Sequence, residues 1–164
     1  MKHIVTTVIL LFCVFFQVVA GKLYRLNDAS PHLVILIVGY VALFGSRSQA
    51  LFVAVVGGFL LDFVSLDPWT TNVVSLAVPA WLISRLAASG WAESAVPRGV
   101  MMIGGIGLAF AVRGGLLRLY EGVSVSVDHQ LFTAIYTLVF GWPFFSVLRS
   151  WQHVFLQMPE NRVH

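Results

Sequence analysis

Asp62 and Arg113 have the strongest claim to chemistry in this chain, because each is an ionisable group set in an otherwise apolar segment. A charge inside a membrane is expensive unless paired or solvated, so by default it marks a functional candidate. Asp62 ends a stripe in which Ala50, Ala54, Gly58 and Asp62 recur every fourth residue, on one helical face. Small residues in such a stripe let a second backbone come close, the usual packing device in lipid. Arg113 interrupts a comparable stripe of Gly107, Ala111 and Gly115. Asp62 lies about 18 Å along its helix from Ala50, and Arg113 about 20 Å from residue 100 on a helix running the same way. An Asp62–Arg113 ion pair is therefore one expected arrangement. Two duller alternatives stay open: Asp62 as a packing or capping group near a helix end, and Arg113 snorkelling to the interface.

The other reactive side chains do not gather into a catalytic set. His3, His32, His129, His153 and His164 are scattered among termini and loops without the i,i+4 spacing of a helix-borne metal site, and each reads as a surface or interfacial group. Cys13 is the single cysteine and lies in an apolar run, so no intrachain disulfide or cysteine metal site is expected. Gly104-Gly105-Ile106-Gly107 has the glycines of a phosphate loop, but its apolar surroundings point to helix packing. No catalytic residue, cofactor or metal is expected, and no basic block is present that could track a nucleic acid.

The elements that carry these residues follow from composition. Of 164 residues, 59% are hydrophobic and 10% charged, with a mean hydropathy of +0.89. Soluble domains are nearer a quarter charged, and disordered chains are poor in apolar residues, so neither class fits. At about 20 residues per span the length allows roughly six transmembrane helices in a single membrane domain, all-α. The apolar segments are 4–20, 32–44, 50–66, 69–86, 98–117 and 131–149. The first also suits a signal peptide ending at Val18-Val19-Ala20, but its length and the following Lys22 and Arg25 favour a retained helix.

Ser30-Pro31 and Asp67-Pro68 each read as a cap followed by proline at the first helical position, and Pro97 suits the same place in the fifth helix. Pro79 and Pro143 fall inside apolar runs and predict kinks. Residues 149–158 show an amphipathic spacing, and residues 123–127 alternate like a short strand. With six helices, Lys2, Arg47, Arg85, Arg98, Arg149 and Arg162 share the side of both termini, against Lys22, Arg25, Arg113 and Arg118 opposite. That bias favours cytoplasmic termini.

The order of these features resembles the MreD family of bacterial rod shape-determining membrane proteins. Gln17 near the end of the first helix is followed by Pro31-His32-Leu33-Val34-Ile35-Leu36, then a basic turn and Gly58-Phe59-Leu60-Leu61-Asp62. The ending, Phe140-Gly141-Trp142-Pro143-Phe144-Phe145 before Leu148-Arg149, is similar too. The chain departs from the family at Ser65-Leu66-Asp67-Pro68-Trp69, where a glycine-containing turn is usual, and at His32, where an acid is usual. The resemblance implies a noncatalytic inner-membrane subunit of the wall elongation complex. It would bind MreC and connect with MreB, RodA and a class B penicillin-binding protein. It also implies a likeness to the six-helix substrate-binding subunits of energy-coupling-factor transporters. A small-molecule-binding transporter subunit is accordingly the alternative, although residues 4–20 lack the paired small residues of their docking helix.

Overall fold

The computed structural model describes residues 2–21, 31–65, 70–90, 92, 94–121 and 126–155. Among these there is no strand, and the chain forms α1 (Lys2–Gly21), α2 (Leu33–Phe44), α3 (Arg47–Ser65), α4 (Thr71–Ala88), α5 (Ala95–Glu121) and α6 (Val127–Phe155). The expected alternation at 123–127 lies mostly outside the described residues, as do the side chains of the expected amphipathic stretch beyond residue 150.

The shortest helix organises the others. α2 has 12 residues and touches each of the other five helices. Every residue from Leu36 to Leu43 is buried. A helix that is apolar on all sides belongs in an interior, which is the environment α2 has. At 1.5 Å per residue it rises about 18 Å, well short of the ~30 Å of a bilayer's hydrocarbon core.

Of the six spans expected, the described residues support three to four by length and composition. Among the described residues three helices are long and apolar enough to cross a membrane, Arg47–Ser65, Thr71–Ala88 and Ala95–Tyr120. α6 makes a fourth if its two arms, Asp128–Gly141 and Pro143–Ser150, form one span. α2, Leu33–Phe44, is a shorter apolar helix, and Thr6–Val19 is an apolar stretch within the 20-residue α1. Sequence hydropathy could not separate a segment made apolar by lipid from one made apolar by five protein neighbours.

The arms of α6 meet at 46° where Pro143 interrupts the backbone ladder. α4 carries buried Pro79 in its interior. Pro97 is the third residue of α5, still in the first turn, where its missing N–H disrupts nothing. Pro31 does not open α2: the first helical residue is Leu33 and the N-cap is His32. α4 starts at Thr71 with Thr70 as its cap, and the expected Asp67-Pro68 start lies outside the described residues.

The helices are layered so that α4 separates α3 from α5. α4 packs on both, whereas α3 and α5 do not touch. Depth along parallel helices, on which the Asp62–Arg113 pairing depended, therefore does not bring the two residues together.

Candidate functional site

The Asp62 carboxylate caps a neighbouring helix. It is 7% exposed, and its Oδ1 accepts the Asn72 N–H at 2.8 Å. Its Oδ2 accepts the Thr70 N–H at 3.0 Å and, more weakly, that of Val73 at 3.4 Å. Thr70, at φ 81°, gives α4 no cap from its own side chain, so the amides of the first turn turn instead towards α3. A buried carboxylate is tolerable here because amide donors and the positive end of the helix dipole replace its water. Asn72 continues the network by donating from Nδ2 to Ser65 Oγ at 3.2 Å, and Ser65 Oγ donates to the Leu61 carbonyl at 2.7 Å.

Gly58, one turn before Asp62, allows this contact. A Cβ on Gly58 would lie 2.5 Å from Val73 Cα and 2.7 Å from Val73 N, inside the backbone of α4. Ala50 and Ala54, further along the stripe, are fully buried. The whole α3 stripe is thus internal, and one of its two roles left open by the sequence, packing with capping, is the one Asp62 plays. The expected ion pair with Arg113 is not formed: both Asp62 oxygens are engaged by α4, which stands between α3 and α5.

A second distant cap sits at the start of α2. Gln17 of α1 accepts the Val34 N–H on Oε1 at 3.4 Å, and its Nε2 lies 3.1 Å from His32 Nδ1. The His32 backbone N–H donates to Thr137 Oγ1 of α6 at 3.1 Å, and its ring meets Phe110 of α5 edge-on at 5.5 Å. His32 is therefore not the surface or loop histidine that its place beside Pro31 implied. It joins α1, α5 and α6 at the entry to α2. The roles of Gln17 and Thr137 were not readable from spacing, because their partners lie 17 and 105 residues away.

The second small-residue stripe faces outward. Gly107, Ala111 and Gly115 of α5 are exposed, and a Cβ on either glycine would meet nothing within 4 Å. Gly104 one turn earlier is equally open. Within the same run Gly105 points the other way, against Ile83 of α4. The Gly104–Gly107 run thus serves helix faces and is no phosphate loop.

An apolar cavity of about 10 Å³ lies between α2, α4 and α5, beside Leu76, Pro79 and Met102. That is room for about one water, whereas ligand pockets run to roughly 300 Å³ or more. No protein-family model, no curated protein and no solved structure matches the chain.

Proposed function

We propose that the chain is a noncatalytic, multi-pass subunit of the bacterial inner membrane, of the MreD kind, which holds partners of the wall elongation complex by helix packing. The outward stripe of Gly107, Ala111 and Gly115 carries this reading. In lipid, association depends on close backbone approach, and small residues on an open face offer it. The buried polar groups Asp62 and Gln17 are engaged in capping helices, which suits a rigid scaffold. On this reading the single span of MreC packs on the open face of α5. MreB, RodA and a class B penicillin-binding protein are joined through the assembly, and both termini are cytoplasmic.

The test is copurification of MreC with the tagged protein from membranes in mild detergent. Wild type should retain MreC, and the double substitution Gly107→Leu with Ala111→Leu should lose it while accumulating to the wild-type level. Retention of MreC by a well-folded double variant would exclude the α5 face. A wild-type preparation without any wall-elongation subunit would exclude the function.

A further inference from the structure

We propose that Arg47, Trp81 and Arg85 form a docking site for the phosphate of an anionic phospholipid headgroup. The proposal rests on the membrane reading above and adds a lipid partner to it.

Arg47 opens α3 and Arg85 lies in the last turn of α4, so both sit at the same end of two helices long enough to span a bilayer. Their guanidinium carbons lie 5.5 Å and 5.3 Å from the centroid of the same Trp81 ring. Both cations are thereby held at one indole ring. Both arginines are exposed, and Trp81 is 37% exposed one turn deeper. That order, cations outermost and indole beneath, matches the headgroup region and the interfacial belt below it. Among the described residues neither arginine is bridged to a carboxylate. A planar guanidinium donor fork suits the oxygens of a phosphate diester.

The surroundings add to the field. Ser46 Oγ accepts the Gln49 N–H at 3.2 Å and fixes the start of α3, whose positive dipole end lies beside Arg47. Arg98 stands over Phe44 at 5.4 Å with Nε donating to the Ala92 carbonyl, and Arg149 lies in electrostatic range of Tyr40. Among the described residues this end has no Asp or Glu, while the opposite end mixes Arg113 and Arg118 with Asp62, Glu121 and Asp128. Basic side chains gathered at one end of a membrane domain attract anionic lipid.

The experiment compares lipid retention by the full chain, purified in mild detergent and challenged with phosphatidylglycerol or phosphatidylcholine, by native mass spectrometry. Wild type should prefer phosphatidylglycerol, and Arg47→Gln with Arg85→Gln should reduce the preference by about fivefold per arginine. Arg47→Lys with Arg85→Lys should keep most of it, and Arg118→Gln at the opposite end should leave it unchanged. Folding of each variant is checked by thermal unfolding in the same detergent. Equal retention of the two lipids by wild type, or an undiminished preference in the folded Gln pair, would overturn the proposal. Resistance of wild type to carbonate extraction from membranes is measured in parallel. Loss of that resistance overturns the membrane reading and the proposal together, whereas embedded protein without a lipid preference overturns the proposal alone.

Discussion

α3 and α5 carry stripes of small residues that look alike in sequence, yet one is sealed inside the bundle and the other lies open. On α3, Ala50, Ala54 and Gly58 are buried, and Gly58 admits the backbone of α4. On α5, Gly107, Ala111 and Gly115 are exposed, and a Cβ on either glycine would meet nothing within 4 Å. The difference arises from their partners. Asp62 continues the first stripe and offers the start of α4 a cap, which fixes one helix upon the other. The α5 stripe has no such capping group, and α5 turns a different face, with Gly105, towards α4. A small-residue stripe thus permits close approach, and a polar partner decides what approaches.

This contrast orders the effects of substitution. Gly58→Leu should be the most damaging, costing about 3 kcal/mol or more, because its side chain would collide with backbone that cannot rotate away. Even Gly58→Ala should measurably lower resistance to unfolding in detergent; an unchanged midpoint would mean that the helices are less tightly apposed. Asp62→Ala should cost about 1–3 kcal/mol, since it leaves buried amides of α4 without their charged acceptor. Asp62→Asn should fall between Asp62→Ala and wild type. Gln17→Ala, which removes the weaker cap on α2, should cost about 1 kcal/mol in the same assay. Combining Asp62→Asn with Arg113→Gln should give additive losses within about 0.5 kcal/mol, because the residues share no contact. A larger coupling would restore the ion pair. Smallest of all, Gly107→Leu should leave the unfolding midpoint unchanged or slightly raised, since it clashes with nothing and removes a helix-disfavouring glycine. A marked destabilisation there would show that the α5 face is covered within the folded chain.

The helical class and most helix positions were legible because apolar runs and their interruptions report directly on local structure. Pro143 was readable as a bend for the same reason, its effect being confined to its own helix. Pro31 misled, since Ser30-Pro31 has the form of a local cap while the start of α2 is supported by Gln17 and Thr137 from other helices. The α3 stripe was recognisable as a packing face, but its partner was not. In the Arg47–Trp81–Arg85 grouping the Trp81–Arg85 pair has local i,i+4 spacing, but Arg47 lies more than thirty residues from the ring and left no local trace.

The sequence alone determined that this chain is built of apolar helices, that few polar groups enter them, and which residues are small enough to admit a neighbour. These are properties of single segments, set by composition and a 3.6-residue period. Tertiary structure decided that α2 is a core helix, that α4 separates Asp62 from Arg113, and that the α3 stripe is closed while the α5 stripe is open. Those outcomes depend on which helices become neighbours, and hydropathy is indifferent to whether an apolar side chain meets lipid or protein.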